Sequence, residues 1–478
     1  MTNKHTPVFL MLWATMGFAA QCNKNGSPGS TPPAAINEAE IWLTKANQSA
    51  LLEKQSGVVT GFGTVNNGFP NIDIDENKKY QSIDGFGYTL TGGSAQLINK
   101  MNTASKTALL QELFAKDAGS ITISYLRISM GASDLDASVF SYNDLPEGQT
   151  DSDQLKFSLS PDKDALIPLL KEILAINPAI KIIATPWSAP VWMKDNQNSK
   201  GGSLKPEYHD SYATYFVKYI QAMKAEGIMI DAITPQNEPL HPGNNPSMYM
   251  TAEQQRDFIK KSLGPAFRTA GLTTRIIVYD HNLDRPDYPA VIYRDAEAAK
   301  YVDGAAFHLY AGDVAGMGNL HNDFPEKQLY FTEQWTGAKG SFDGDLQWHV
   351  KNVIIGTMRN WSKTALEWNL ANDPSYGPHT TGGCTECKGA LTINGSSVSR
   401  NVSYYIVAHA SKFVPPGSVR IESNIAGPVH NVAFLRPDGK KVLIALNEAD
   451  TPYTVNIRYK NKWAPVTIAS KSVMTMVW

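Results

Sequence analysis

Two glutamates in this chain of 478 residues come directly after apolar, strand-like segments. Glu238 follows Ile233-Thr234-Pro235-Gln236-Asn237, and Glu333 follows Leu329-Tyr330-Phe331-Thr332. A carboxylate among buried apolar residues is costly unless it is paired or takes part in chemistry. For either glutamate alone, a helix cap or an ion pair with Arg127 is the structural alternative. Two such residues together favour chemistry, and a pair of facing carboxylates suits glycoside hydrolysis.

Tryptophans follow the same kind of segment elsewhere in the chain. Trp187, Trp335 and Trp368 each stand at the end of a strand-like run. The flat faces of these side chains suit stacking on the C–H surfaces of sugars, although a single tryptophan is more often part of a core. The aromatic residues are therefore consistent with a carbohydrate substrate.

Eight strand-like segments, most of them followed by a helix-like segment, lie between about residue 80 and residue 413. Repeated strand–helix units indicate a parallel sheet, and eight of them predict an α/β fold of the (β/α)₈ TIM-barrel type. A doubly wound open sheet is the alternative, but no Gly-x-Gly-x-x-Gly motif follows any of the strands. In such barrels the reacting groups lie at the carboxyl ends of the strands, which is where Glu238 and Glu333 stand.

The two ends of the chain have a different character from the barrel. Residues 414–478 contain short alternating apolar runs separated by turn signals, which predict a small all-β domain. Residues 36–79 are expected to add strands to it, because chain ends often lie close together. We therefore predict a catalytic barrel over residues 80–413 and a side β-domain made from the segments on either side of it.

The first 35 residues predict export. An apolar run from Val8 to Ala20 follows Lys4 and is too short to span a bilayer, which is typical of a signal peptide. We assign residues 1–22 to this peptide and residues 23–35 to a flexible tether rich in Gly, Ser and Pro. Cys22 resembles the lipidated cysteine of a bacterial lipoprotein. The predicted location is therefore the periplasm or cell surface, with membrane attachment through the lipid alone, or secretion.

Cys384 and Cys387 are the other two cysteines. A Cys-x-x-Cys pair can be half of a zinc site, a redox motif or a disulfide. Zinc would need two more ligands, and the chain has no second pair. A redox motif would begin a helix, whereas this pair lies in a Gly-rich loop. In an exported protein, these observations favour a disulfide that pins the loop.

Composition limits the cofactors and partners. Lys and Arg total 43 against 45 Asp and Glu, with no basic block, so nucleic acid is not an expected partner. The ten histidines include no His-Glu-x-x-His motif, and we expect neither a metal nor another cofactor. No Gly-x-Ser-x-Gly motif supports a serine hydrolase. Nothing in the sequence predicts the oligomeric state.

The ordered set of motifs resembles glycoside hydrolase family 30, the family of glucosylceramidases and β-1,6-glucanases. The segments that carry the resemblance are Ile83-Asp84-Gly85-Phe86-Gly87, Leu126-Arg127-Ile128-Ser129-Met130, Ala184-Thr185-Pro186-Trp187-Ser188-Ala189-Pro190, Ile233-Thr234-Pro235-Gln236-Asn237-Glu238-Pro239, Leu329-Tyr330-Phe331-Thr332-Glu333 and Glu367-Trp368-Asn369-Leu370-Ala371. The resemblance implies a retaining double displacement with Glu238 as general acid/base and Glu333 as nucleophile. It also implies a side β-sandwich built from both chain ends.

The same resemblance implies roles for the residues around the glutamates. The implied substrate-binding residues are Asp134, Trp187, Asn237, His308, Tyr310 and Trp368. Arg127 is implied as a supporting residue. Asn237 would hold the 2-hydroxyl group of the sugar, and His308 and Tyr310 would lie near the nucleophile. We expect the charge of Glu333 to raise the pKa of Glu238 across a gap of about 5 Å.

One loop departs from part of the family. After Trp368, mammalian glucosylceramidases carry a Gly-Gly-Pro-Asn-Trp stretch, whereas this chain has Thr381-Gly382-Gly383-Cys384-Thr385-Glu386-Cys387. The cysteine-bearing loop looks more like that of bacterial members acting on β-1,6-glucans. We therefore expect an endo-β-1,6-glucanase first and a glucosylceramidase-like β-glucosidase second. An exported glycan-binding protein without turnover is the alternative from another class.

Overall fold

The computed structural model of the protein describes residues 39–56, 61–64 and 67–478. The predicted signal peptide, the tether and Cys22 lie outside these residues. Within the described part of the chain, no helix is long and apolar enough to cross a membrane.

Eight parallel strands close into a barrel in which each strand pairs with the next in chain order and the eighth pairs with the first. Numbered one to eight, they are Gly85–Thr89, Tyr125–Ser129, Lys181–Thr185, Ala232–Ile233, Arg275–Asn282, Val302–His308, Gln328–Glu333 and Ser362–Asn369. Nearly every residue of these strands is buried, because the interior of the barrel covers one face and the helices cover the other. The closed barrel confirms the predicted fold class and rules out the open sheet.

Helices connect the strands and cover the outside of the barrel. The α-helices are Gly92–Asn99, Thr103–Phe114, Leu166–Ile176, His209–Ala225, Ala252–Phe258, Gly264–Thr269, Asp287–Arg294, Ala296–Ala299, Ala315–Asp323, Phe342–His349, Thr357–Arg359 and Val402–Ser411. Two π-helical segments, Ile259–Leu263 and Val350–Gly356, continue neighbouring helices, and three short 3₁₀ turns are Ser160–Asp162, Val191–Met193 and Pro206–Tyr208. In His209–Ala225, apolar residues recur every three or four positions, so one face from Tyr212 to Met223 is buried.

Strands from the N-terminal and C-terminal parts of the described residues pair in one nine-stranded sheet. Its strands are Glu40–Lys45, Glu53–Lys54, Asn71–Ser82, Val419–Ser423, Val429–Leu435, Lys441–Asn447, Tyr453–Tyr459, Lys462–Ile468 and Ser472–Val477. Glu40–Lys45 pairs with the last strand, Ser472–Val477, and Asn71–Ser82 lies between Val419–Ser423 and Tyr453–Tyr459. This pairing confirms a side β-domain formed from both chain ends. The exact domain boundaries stay a prediction.

Short strands in the loops after barrel strands seven and eight build the mouth of the barrel. Thr336–Gly337 pairs with Cys387–Lys388, and Ala371–Asn372 pairs with Leu391–Asn394, which also pairs with Ser397–Arg400. The first of these ladders joins the segment after Glu333 to the cysteine-bearing loop. That loop is therefore held at the carboxyl ends of the barrel strands.

Candidate active site

A cavity of about 350 Å³ opens at the carboxyl ends of the barrel strands. Its lining residues are Asp134, Trp187, Glu238, His241, Asn244, His281, Asn282, Tyr310, Glu333, Trp335, Trp368, Cys384 and Cys387. Arg127, Asn237 and His308 are buried and hydrogen-bond to lining residues or to one another. The structure thus brings together every predicted site residue within the described part of the chain.

Glu238 and Glu333 face each other across this cavity. Glu333 ends strand seven, Glu238 follows strand four, and a carboxylate oxygen of one lies within 4.8 Å of a carboxylate oxygen of the other. Carboxyl groups about 5 Å apart are typical of retaining glycosidases, whereas inverting enzymes keep them farther apart to admit water. Glu238 also has a left-handed backbone, with φ at 43°. For a non-glycine residue this costs roughly 1–2 kcal/mol, and such strain is concentrated at functional sites.

Arg127 and Tyr310 hold the carboxylate of Glu333. The Nη1 of Arg127 donates to Glu333 Oε2 at 2.6 Å, and the hydroxyl of Tyr310 donates to Oε1 at 2.9 Å. The Nη2 of the fully buried Arg127 donates to Asn237 Oδ1 at 2.6 Å, and its guanidinium lies 4.8 Å from the centre of the Trp187 ring. The ion pair that was the structural alternative therefore exists. Through these hydrogen bonds Arg127 orients both Glu333 in the cavity wall and Asn237, the residue before Glu238.

Asp280 is a buried charge in the site that our sequence-based prediction missed. It lies near the end of strand five with a left-handed φ of 67°. Four donors reach its carboxylate: Arg127 Nη2 at 2.9 Å, His308 Nε2 at 3.1 Å, Thr332 Oγ1 at 2.6 Å and Thr234 Oγ1 at 2.9 Å. Burial acts to raise the pKa of Asp280, but Arg127 and His308 outweigh it and hold this pKa well below its usual range. The signal was present, because Asp280 follows an apolar run as Glu238 and Glu333 do.

His308 ends strand six and lies between the acids. Its Nδ1 is 3.2 Å from Glu238 Oε1 and 3.8 Å from Glu333 Oε1, while its Nε2 faces Asp280. Burial acts to lower the pKa of His308. The charge of Glu333 and the hydrogen bonds to Asp280 and Glu238 are stronger and raise this pKa to about 9. His308 is thus a cation at neutral pH and contacts the residue predicted to be the acid/base.

This cation reverses one electrostatic expectation. Burial is the largest influence and acts to raise the pKa of Glu238, but the hydrogen bond from His308 and the charges of the nearby histidines together outweigh it, so the pKa is lowered. The pKa of Glu333 is raised, because burial, together with the negative charges of Glu238 and Asp280, exceeds the opposing effects of His308 and Arg127. The sequence-based expectation for Glu238 was wrong because no pattern in the chain placed His308 against it. These directions favour His308 in its protonated form with Nδ1 donating to Glu238.

A disulfide forms part of the cavity wall. Cys384 and Cys387 are bonded to each other, as the sequence predicts, and the backbone N–H of Cys384 donates to Asp134 Oδ2 at 3.2 Å. Cys387 packs with Trp187 and Trp368, whose rings lie 5.4 Å apart. Burial, aided by the charge of Glu333, raises the pKa of Asp134 to about 7. The cysteine-bearing loop thus positions three of the residues expected to bind the glycone.

One ligand atom from each of Glu238, His308 and Glu333 lies within 4.8 Å of the other two, which is close enough for the three to hold a cation. Arg127 already donates to Glu333, and His308 contacts Glu238, so positive charge is present beside both carboxylates. The expected absence of a metal cofactor stays a prediction.

Comparison with models of known protein families shows to which family this chain belongs. The model of the glycosyl hydrolase family 30 TIM-barrel domain matches residues 83–414, and that of the family 30 β-sandwich domain matches residues 417–476. The chain belongs to glycosyl hydrolase family 30. The motif resemblance is thereby confirmed, and the protein is a glycoside hydrolase of a family for which the retaining mechanism is general.

Curated relatives and a solved structure cover 80% or more of this chain. An endo-1,6-β-D-glucanase of Neurospora crassa is 33% identical over 469 residues, which is 93% of this chain and 96% of the relative. The lysosomal acid glucosylceramidase of Mus musculus is 31% identical over 415 residues, covering 80% of this chain and 79% of the relative. A solved endo-β1,6-glucanase is 38% identical with a TM-score of 0.85, covering 92% of this chain and 99% of that chain.

Proposed function

We propose that this family 30 hydrolase is an endo-β-1,6-glucanase. The observation that carries the proposal is the 38% identity to a solved endo-β1,6-glucanase over 92% of this chain. The identity to the lysosomal acid glucosylceramidase is lower, at 31%, and covers 80% of this chain. The disulfide loop in the cavity wall, which stands where mammalian glucosylceramidases have a different stretch, supports the same choice.

The reaction would proceed through two displacements at the Glu238–Glu333 pair. In the first step Glu333 attacks the anomeric carbon, and Glu238 protonates the oxygen of the leaving glucan. In the second step water attacks the glycosyl–Glu333 ester, and Glu238 takes up a proton from that water. Arg127 and Tyr310 keep the carboxylate of Glu333 oriented for attack through their hydrogen bonds. Charge-assisted bonds of this kind also favour the ionised, nucleophilic form.

His308 would complete the acid function of Glu238. Its Nδ1 lies 3.2 Å from Glu238 Oε1, so a proton can pass along this hydrogen bond and leave a neutral imidazole and a protonated carboxyl group. Asp280 accepts a hydrogen bond from the other ring nitrogen and keeps the imidazole in place during the transfer. Once glycosylation has neutralised Glu333, one of the anions that favour the charged imidazole is gone.

Product analysis on four substrates tests the proposed function. Pustulan, a β-1,6-glucan, is incubated beside laminarin, xylan and glucosylceramide, with Glu333→Ala as the inactive control. We expect β-1,6-linked oligosaccharides of several lengths from pustulan and no comparable product from the other three. Glucose released from glucosylceramide without any pustulan product would instead establish the second candidate, a glucosylceramidase-like β-glucosidase. A binding protein without turnover would hydrolyse neither these substrates nor an activated aryl β-glucoside at any pH.

We further propose that the enzyme is exported and that Cys22 is its lipid attachment site. The proposal rests on the apolar run from Val8 to Ala20, the cysteine that follows it and the Gly/Ser/Pro-rich tether. Export would also place the enzyme where polymeric glucans occur. Labelling of the wild type with a fatty acid, but not of Cys22→Ser, is the expected result. Equal absence of label from both proteins in the culture medium would indicate plain secretion.

A further inference from the structure

A second cavity lies at the opposite end of the barrel from the catalytic cavity. Its volume is about 670 Å³, within the range of ordinary ligand sites. Ser124 lines it just before barrel strand two and Ala179 just before strand three, so it opens at the amino ends of the strands. Trp42, from the strand Glu40–Lys45 of the β-domain, forms another part of its wall. The cavity therefore lies where the barrel meets the β-domain, and its lining residues differ from those of the catalytic cavity.

Asn177 turns a buried amide toward this second cavity. The residue is only 2% exposed, and its Oδ1 already accepts a hydrogen bond from the backbone N–H of Ala179 at 3.3 Å. Its Nδ2 has no hydrogen-bond partner within the described part of the chain, yet it is not one of the polar atoms sealed off from solvent. Because Asn177 lines the cavity, this amide nitrogen can donate to a hydroxyl oxygen of a molecule bound there.

Thr122 and Lys116 add two further polar groups to the wall. Thr122 has a left-handed backbone, with φ at 54°, which is an outlier for a β-branched residue and a kind of strain concentrated at functional sites. Among the residues that the structure describes, neither the Oγ1 of Thr122 nor the Nζ of Lys116 has a hydrogen-bond or ion-pair partner. Both groups are therefore available to a ligand.

Charges of both signs line the cavity. Glu40 and Lys54 form an ion pair at 2.6 Å, and Asp117 is the chain neighbour of Lys116. A charged ligand of either sign would therefore be repelled by part of the wall. Hydroxyl groups, in contrast, can donate to the carboxylates and accept from the ammonium groups. The lining thus fits a neutral molecule that carries several hydroxyl groups.

Apolar surface completes the lining. Trp42 and Phe413 both line the cavity, with ring centres 5.4 Å apart. Aromatic surface beside polar groups suits the C–H faces of sugar rings. The wall is also ordered in advance, because Lys412 Nζ donates to the carbonyl oxygens of Ala118 at 2.6 Å and Ser120 at 2.8 Å. A cavity whose wall is already ordered binds a ligand without a large ordering cost.

We propose that this cavity is a second carbohydrate-binding site, in which Asn177 Nδ2 and Thr122 Oγ1 hydrogen-bond to hydroxyl groups of a glucan and the surface of Trp42 contacts its sugar rings. The site goes beyond the proposed glucanase function but rests on it for the identity of the sugar. A polymer held at a second site raises the local concentration of its other segments at the catalytic cavity. The site should therefore matter for polymeric glucan and not for a small glucoside.

Retention in native gels that contain pustulan tests the second site. All proteins in this assay carry Glu333→Ala, so that the polymer is not hydrolysed. Ala179→Trp fills the cavity from an exposed position of its wall and should weaken the apparent affinity for pustulan about threefold to tenfold. Ala175→Trp is the matched control, because it makes the same change at an exposed position of the helix Leu166–Ile176 that does not line the cavity. This control should be retained as strongly as Glu333→Ala alone.

Asn177→Asp is a second test that keeps the shape of the cavity. The substitution retains the oxygen that accepts from Ala179 but replaces the donating Nδ2 with an oxygen atom. We expect weaker retention, as for Ala179→Trp. With Glu333 restored, both variants should keep the kcat/KM of wild type on an aryl β-glucoside. Both should lower kcat/KM on pustulan, because only the polymer reaches both sites.

The outcomes separate the second site from the proposed function. If wild type hydrolyses no pustulan, the proposed glucanase function is wrong and the glucan site falls with it. If wild type hydrolyses pustulan but Ala179→Trp and Asn177→Asp are retained like the control, the enzyme is a glucanase and the second site is wrong. An equal loss of kcat/KM on the aryl glucoside and on pustulan would also refute the site, because the substitutions would then act through the catalytic cavity.

Discussion

Asp280 offers the sharpest test of the electrostatics of this site. Asp280→Asn keeps the shape of the side chain but removes the charge that faces Arg127 at 2.9 Å and His308 at 3.1 Å. Removing one partner of a buried ion pair costs roughly 3–5 kcal/mol. We expect the lower end, about 3 kcal/mol, because Arg127 keeps its bond to Glu333 and the amide oxygen still accepts a hydrogen bond.

The same substitution should change the pH dependence of catalysis. His308 has a pKa raised to about 9, and one of the anions that hold it there is Asp280. Without that anion the pKa of His308 should fall by about 1–2 units, so the basic limb of kcat/KM should move to lower pH by a similar amount. A substitution that only loosened the fold would lower activity without moving this limb.

The sign of the stability effect follows from the same raised pKa. A histidine whose folded pKa lies above its unfolded value of about 6.5 stabilises the fold fully below that value and loses its contribution as pH rises to 9. The loss of unfolding free energy in Asp280→Asn should therefore be largest near pH 6 and smaller above pH 9.

Urea unfolding and kcat/KM on an aryl β-glucoside, both measured from about pH 5 to pH 9.5, check these expectations. Asp450→Asn is the matched control, because Asp450 also pairs with a cation, Lys471, but its side chain is 85% exposed. The reasoning is refuted if Asp280→Asn unfolds like the control and keeps the basic limb of the wild type.

Three further predictions concern other parts of the molecule. Azide should restore activity to Glu238→Ala, which lacks the acid/base, and the product should be a β-glycosyl azide. Azide should also restore activity to Glu333→Ala, which lacks the nucleophile, and the product should be an α-glycosyl azide. The opposite stereochemistry would exchange the two roles. Replacing both Cys384 and Cys387 by Ser should cost at most about 2 kcal/mol of stability, since the loop that the disulfide closes is very short. The same replacement should raise KM, because the backbone N–H of Cys384 orients Asp134. An unchanged KM in steady-state assays would contradict this expectation. Burial lowers the pKa of Lys194 to about 7, so this residue stabilises the fold more as pH rises from 7 toward its unfolded pKa of about 10.5. The unfolding free energy of wild type relative to Lys194→Met should therefore rise by roughly 5 kcal/mol between these two pH values. A difference that stays constant with pH would show that Lys194 titrates normally.

Local patterns in the sequence were sufficient to predict the barrel and both glutamates. Each barrel strand is a short apolar run, and the topology of a (β/α)₈ barrel places the carboxyl ends of all such runs at one mouth. Glu238 and Glu333 were therefore predictable as neighbours although 95 positions separate their numbers in the chain. The disulfide was predictable for a similar reason, since Cys384 and Cys387 lie too close in sequence to need any other element.

The electrostatic arrangement depends on the tertiary structure alone. Glu238 has a lowered pKa partly because His308, from another strand, points Nδ1 at it, and the pKa of that imidazole is raised by Glu333, Asp280 and Glu238 on three different strands or strand ends. Such contacts depend on distances of about 3 Å between side chains on different strands, and Coulomb and hydrogen-bond energies change steeply over that range. A sequence pattern places residues on a strand and a face, but it does not set distances to that precision. The residue types and their strand positions were thus determined by the sequence, whereas the pKa directions of Glu238 and His308 were decided by how the barrel strands pack together.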